Sequence, residues 1–308
     1  MIIAYSFLDG LPCKTDDLET ADWLDVVAPT DEEVELLRGS YGVSADFSRA
    51  PLDVHERPRI ETEGETTLVL LRAPHADTGK RALIFATRPL AVIVTPTKVI
   101  TCSDREDLAP PYFIRKLRPA CRTSTAAALS LLLRIGADFI NHLDLLDGRI
   151  ESIERGLRTS MRNEELLSLL RLEKTLIYFT MALKGNLAVL ERLGRLPERP
   201  LCPGDAALWE DAVIETRQAA DMADIYRQTL AGLADTMGAV VSNNLNAAMK
   251  FLTGMTIVLM IPAILTGLYG MNVALPFADE PWAFLGVGGM CFGLCAGTIL
   301  YFHRKNWL

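Results

Sequence analysis

The last part of the chain is dominated by two long runs that carry no charged side chain. FLTGMTIVLMIPAILTGLYGMNVALPFA fills 251–278 and PWAFLGVGGMCFGLCAGTILYF fills 281–302, with only Asp279 and Glu280 between them. A helix needs about 20 apolar residues to cross about 30 Å of hydrocarbon. Segments 251–271 and 283–302 each meet that length, which predicts two membrane spans joined by an outer loop at 273–282. Upstream, 204–261 contains no proline. Met222, Tyr226, Leu230, Leu233, Met237, Val240, Leu245, Ala248 and Leu252 recur there at steps that keep to one helix face. Nothing in the pattern stops this helix before the first span. Read as one helix, 205–269 would reach about 100 Å at 1.5 Å per residue, a rod that a single chain of this size cannot bury and that invites self-association.

The earlier part of the chain is mixed. Short β-rich runs occur at 2–8, 66–72, 82–87, 90–95 and 99–103. Thr30 with Glu33 and Ser103 with Glu106 both fit the capping box, in which side chains satisfy the free N–H groups of a helix start. From about Thr123 to Arg195 apolar residues recur at three- and four-residue spacing without proline, broken by a polar stretch at Thr159–Asn163, which predicts an antiparallel helical hairpin. Pro197-Glu-Arg-Pro-Leu-Cys-Pro-Gly204 is a clear breaker. The fold class that follows is α+β, a mixed sheet flanked by helices, then a very long helix and two C-terminal transmembrane helices. The expected domains are 1–203, a stalk helix at 204–250 and a two-span membrane domain at 251–308.

Charge sharpens this division. The chain of 308 residues has 31 basic and 39 acidic side chains, a net charge of −8. Beyond Lys250 only Asp279, Glu280, Arg304 and Lys305 are charged and they cancel, so the whole excess lies in the body. An acidic chain without a basic tract argues against a nucleic-acid partner. Lys250 precedes the first span, and His303, Arg304 and Lys305 follow the second, while the loop holds only acids. The positive-inside rule then places both termini in the cytoplasm and the loop outside, with Trp282 and Trp307 at the two interfaces of the second span. MIIAYSFLDG lacks the charged start and cleavage site of a signal peptide, so the body is expected to stay in the cytoplasm.

Six cysteines fit a reducing compartment. Cys291 and Cys295, four apart in the second span, share a helix face and read first as small packing residues, with a soft-metal pair as the alternative. His142 with Asp138 reads first as a packed or exposed pair and second as a metal pair. No phosphate-binding GxxxxGK[ST] loop, HExxH helix, GxSxG elbow or CxxC pair occurs, so no enzymatic chemistry or ATP coupling is suggested.

At the outer end of the first span stands Tyr269-Gly270-Met271-Asn272, and the chain closes on Lys305-Asn306-Trp307-Leu308. With the two spans, and with VSNNLNAAMKFLT and IPAILTGLYGMN, these residues closely resemble the CorA family of divalent-cation channels, whose signature is Gly-Met-Asn at that place. HERPRIETEGETTLVLLRAP and PLAVIVTPTKVIT resemble its N-terminal domain more loosely. The resemblance implies a homopentamer in the inner (plasma) membrane, with the long helix and first span of each subunit around a central pore. By similarity Gly270, Met271 and Asn272 form the selectivity filter, and Asn246, Met249, Leu252 and Met260 line the pore. Asp235, lower on the helix, matches an acidic ring in the cytoplasmic funnel, and Asp211 matches an acidic position at which intracellular Mg²⁺ favours the closed state. Asp279 and Glu280 would draw cations to the mouth.

Periodicity supports the same stripe independently. Asn246, Met249, Thr253, Thr256, Met260, Ala263 and Gly267 advance by three or four residues and share one face. The implied function is passive influx of Mg²⁺, with Co²⁺ or Ni²⁺, and no cofactor beyond transported and regulatory divalent cations. One departure stands out: many relatives carry Thr after the proline of the first span, whereas Pro262 is followed here by Ala263. The alternatives are a Zn²⁺ transporter on the same scaffold and a membrane-anchored coiled-coil scaffold that conducts nothing.

Overall fold

The computed structural model describes residues 1–8, 11–77, 84–108, 124–157, 163–196, 203–271, 282–305 and 307. They form two compact units, Met1–Gly232 and Leu233–Leu308.

The first unit is built on a seven-stranded sheet: β1 (Ile2–Leu8), β2 (Leu11–Thr15), β3 (Trp23–Val27), β4 (Arg59–Glu63), β5 (Thr66–Asp77), β6 (Ile84–Val94) and β7 (Val99–Ser103). The spatial order is β2-β1-β3-β7-β6-β5-β4. Only the β3–β7 pair is parallel, which makes the sheet mixed. Two of the expected β-rich runs, 82–87 and 90–95, meet in one strand, β6, that passes through Pro89, with Ala82 and Leu83 outside the described residues. A proline has no N–H to give to a ladder. The strand tolerates it because β7 pairs only with Leu90–Val94, leaving β6 without a partner on that side at Pro89.

Helix α1 (Asp31–Tyr41) starts at the expected box: Glu33 N–H donates to Thr30 Oγ1 at 3.3 Å, and Thr30 N–H donates to Glu33 Oε2 at 2.9 Å. Gly42 ends it in the left-handed conformation, φ 65°, which glycine adopts without a Cβ penalty. With the short α2 (Ala45–Arg49), α1 covers one face of the sheet through Leu37, Val43 and Phe47, which pack on Leu24, Val26, Leu68, Leu70, Ala91, Ile93 and Ile100. The second expected box starts no helix: Ser103 ends β7, its hydroxyl donates to Arg105 O at 2.7 Å, and 104–108 are bends and turns. The cause is in the sequence, since Pro110 and Pro111 deny the next turn its donors and disfavour helix in the residues before them.

Two long helices, α3 (Ser124–Leu157) and α4 (Asn163–Leu193), lie against each other and against β5 and β6. By length and hydropathy α3 also qualifies as a span, but 56% of its most apolar window is buried inside the unit, as a core helix is. Close approach of α4 to the sheet edge has a clear origin. Strand β4 pairs with β5 only as far as Leu70, so the backbone of Arg72 has no strand partner on that side. The buried Asn186 carboxamide replaces the missing strand, accepting from Arg72 N–H at 2.9 Å and donating to Arg72 O at 2.8 Å. Gly185 sits beside it, where a Cβ would come within 2.8 Å of Pro58.

The fifth helix, α5 (Pro203–Tyr269), is continuous through the proline-free segment and beyond it. Its first turns dock on α4, with Trp209 Nε1–H donating to Leu190 O at 2.7 Å over Gly194, where a Cβ would lie 2.4 Å from the indole. Ion pairs Arg217–Glu191 and Lys184–Asp224 flank that contact. The second unit holds the rest of α5 and the final helix, α6 (Ala283–Arg304). Beyond α6, Trp307 stacks on Phe302 with ring centroids 5.5 Å apart, and its N–H donates to Phe302 O at 3.0 Å.

Candidate ion pathway

The C-terminal part of α5 and the whole of α6 are apolar enough to cross a membrane, yet their most apolar windows are only 6% and 0% buried in the single chain. Such surface is excluded from water in some other way, by lipid or by further copies of the chain. The two helices face each other along a narrow seam. On α6 the seam is lined by the partly covered Val287, Cys291, Cys295 and Thr298, followed by the buried Phe302. On α5 it is lined by the buried Gly254 and the partly covered Val258, Ile261, Pro262 and Leu265.

Advancing about 100° per residue, those five α5 positions occupy one face of the helix. Asn246, Met249, Thr253, Thr256, Met260, Ala263 and Gly267 all fall on the opposite face, and every one of them is exposed. Leu252 lies at the edge of the same stripe and is 67% exposed, and Asp235 extends it lower on the helix. The structure thus brings the sequence-expected lining residues onto one open face. Within that face Thr256 Oγ1 donates to Leu252 O at 2.8 Å, so its hydroxyl proton is engaged and its lone pairs remain outward.

Helix α5 ends just before the Gly-Met-Asn tripeptide. Gly270 N–H donates to Thr266 O at 2.9 Å, and the tighter bond from Met271 N–H to Leu268 O, 3.3 Å, closes the last turn. A Cβ at Gly270 would sit 3.1 Å from Thr266 O, a tight contact that glycine avoids where the chain leaves the helix. Asn272, Asp279 and Glu280 lie outside the described residues. Asp211 belongs to the first unit, where it is exposed on α5.

The His142–Asp138 pair is occupied by packing. His142 Nδ1 lies 2.8 Å from Asp138 O and 3.8 Å from Asp138 Oδ2, with its ring edge-on to Phe85 at 4.8 Å. Burial raises the Asp138 carboxyl above its usual range, against the opposing pull of His142 and Arg134. Among the described residues no group of three His, Cys, Asp or Glu side chains is arranged to hold a metal ion.

The sequence profile of the family described as CorA-like Mg²⁺ transporter protein matches residues 19–304, nearly the whole chain. The chain belongs to the CorA family. Curated CorA relatives include the cobalt/magnesium transport protein CorA of Methanocaldococcus jannaschii, 28% identical over 96% of this chain and 95% of its own length. The Thermotoga maritima protein of the same name is 24% identical over 100% of this chain and 92% of its own length. The complete structure of the M. jannaschii CorA magnesium transporter superposes with a TM-score of 0.83 at 27% identity, covering 100% of this chain and 99% of that one. The cytoplasmic domain of ZntB from Vibrio parahaemolyticus, at 10% identity and a TM-score of 0.60 over 78% of this chain and 98% of that one, shares the fold alone. With a CorA chain established, the uncharged C-terminal part of α5, from about Phe251, and α6 are its membrane helices, whereas α3 is a core helix of the first unit.

Proposed function

We propose that this chain is one subunit of a homopentameric channel in the plasma membrane, with both termini cytoplasmic, that admits Mg²⁺, and with it Co²⁺ or Ni²⁺, down the membrane potential. The observation that carries the reading is the bare stripe of α5 set opposite the α6 seam. One helix face cannot enclose a path for ions. Several copies around an axis, each with α6 outward, convert the stripe into a lined pore. The names of the relatives at 24–28% identity support magnesium and cobalt as the cargo. The likeness to ZntB reaches the fold only, so nothing in it favours zinc.

The chemistry of the stripe suits a hydrated divalent ion. Mg²⁺ gives up its water reluctantly. A ring of Asn272 carboxamides at the outer end accepts hydrogen bonds from that water, and Asp279 with Glu280 concentrates cations there. Rings of Met249, Leu252 and Met260 form an apolar constriction that blocks ions by dewetting, below which Asn246 and Asp235 face the cytoplasmic entry. An inward-negative potential contributes about 2.3 kcal/mol per charge per 100 mV, so about twice that for a divalent ion.

Gating is assigned to intracellular Mg²⁺ bound at Asp211, on the helix that continues into the pore. By the family resemblance, acidic residues of a neighbouring copy complete the site. The Asn272→Ala variant tests the reading: it should assemble normally and lose selective Mg²⁺ uptake. Unchanged uptake in that variant would remove the filter from Asn272.

A further inference from the structure

Pro262 lies inside α5, within the first span. It has no N–H, so the carbonyl four residues earlier, that of Val258, loses its helical donor. In hydrocarbon no water replaces it, and an unpaired backbone group there is costly. Thr266 Oγ1 lies 2.8 Å from Pro262 O and 3.2 Å from Ala263 O, the ordinary back-bond of a helical hydroxyl, and does nothing for the Val258 carbonyl. The donor for that carbonyl comes from the other span. Cys295 Sγ lies 3.7 Å from Val258 O, within the longer reach of a sulfur donor. Both residues are partly covered on the seam between α5 and α6.

We propose that Cys295 is a positioning residue: its thiol donates to the carbonyl that Pro262 orphans and so ties the second span to the point at which the first span can bend. Proline is where a membrane helix flexes most readily. The tie attaches to the face of α5 turned away from the Asn246–Gly267 stripe, so it fixes how that stripe is presented without entering it. A bend at Pro262 must then either carry α6 with it or break the thiol–carbonyl contact. Cys291, one turn earlier on the same seam, has no such carbonyl to serve among the described contacts; its sulfur lies within hydrogen-bond reach of Cys295 and is the competing partner that the Pro262→Ala comparison separates.

Four variants of the full-length protein in lipid test this, namely Cys295→Ala, Cys295→Ser, Pro262→Ala and the Pro262→Ala/Cys295→Ala double, and two of the readouts do not depend on transport. In the infrared spectrum the S–H stretching band assigned to Cys295, from the difference against Cys295→Ala, should lie below the free-thiol position. A band at the free-thiol position would overturn the proposal. Cys295→Ala should lower the apparent melting temperature by about 2 °C, and Cys295→Ser, which keeps a donor, should not. In a Pro262→Ala background the backbone supplies its own N–H to Val258 O, so Cys295→Ala should then cost less than half as much. An equal loss in both backgrounds would overturn it too. As a consequence for transport, which rests on the proposed function, Cys295→Ala should alter the rate of Mg²⁺ influx by about twofold or more and Cys295→Ser should restore it. If the unaltered protein conducts nothing, the channel reading fails while the infrared and melting results still decide the tie.

Discussion

Asp25 is a carboxyl in the middle of β3, 4% exposed, with Trp23 and Thr101 beside it. Trp23 Nε1–H donates to Thr101 Oγ1 at 2.9 Å, and the Thr101 hydroxyl donates onward to Asp25 Oδ1 at 2.7 Å. Burial pushes the Asp25 carboxyl up to about 7; the Thr101 bond opposes this, Glu106 adds to it, and the N-terminal ammonium pulls it down. The folded protein therefore holds a proton that the unfolded chain releases near pH 4. With the folded pKa raised above the unfolded one, the folded state binds more protons between those values, so stability falls as pH rises through that window and is level above it. The integrated loss reaches up to about 4 kcal/mol. An asparagine carboxamide at this position accepts the same Thr101 bond and never ionises. The margin of the Asp25→Asn variant over the parent should therefore grow by about 2–3 kcal/mol between pH 5 and pH 8. Urea unfolding of the full-length protein, followed through Trp23 fluorescence across pH 5 to 9, measures it. A difference between the two proteins that stays constant over that range would refute the reasoning.

Two further changes probe the body. Asn186→Ala removes the partner of both Arg72 backbone groups and should cost about 2–3 kcal/mol of unfolding free energy, seen as an earlier urea midpoint. Asp211→Asn should leave maximal conduction intact while raising the cytoplasmic Mg²⁺ concentration needed for half-closure in membrane patches; superimposable inhibition curves would mean that Asp211 does not sense the ion.

What the sequence discloses depends on whether a residue's fate is decided locally. β1 and β7 match the apolar runs at 2–8 and 99–103 residue for residue, since both are bounded by turn-forming side chains. β3 is fully buried yet escapes pattern reading, because Asp25 sits in the centre of a five-residue strand and breaks its apolar signal. β2 (LPCKT) and β4 (RIETE) are edge strands, and edges are polar by necessity. Thr30 and Ser103 show the same local motif with opposite outcomes, decided by the prolines that follow only one of them.

The stripe on α5 is readable from spacing because one unbroken helix carries it, and periodicity fixes which residues share a face. Spacing alone does not say which face stays bare; that follows from where α6 packs. The Cys295–Val258 contact is likewise invisible along the chain, since 37 residues separate the partners and the contact depends on how the two helices are rotated. Asn186, 114 residues from the strand edge it completes, is hidden for the same reason.

The most direct test of the central claim is ion uptake by the purified protein in liposomes under an inside-negative potential, with Mg²⁺, Co²⁺, Ni²⁺ and Zn²⁺ offered separately. The proposed channel admits Mg²⁺ and Co²⁺ in a potential-dependent manner and slows as internal Mg²⁺ rises. Liposomes that remain impermeable to all four ions would contradict it, and uptake confined to Zn²⁺ would replace its cargo.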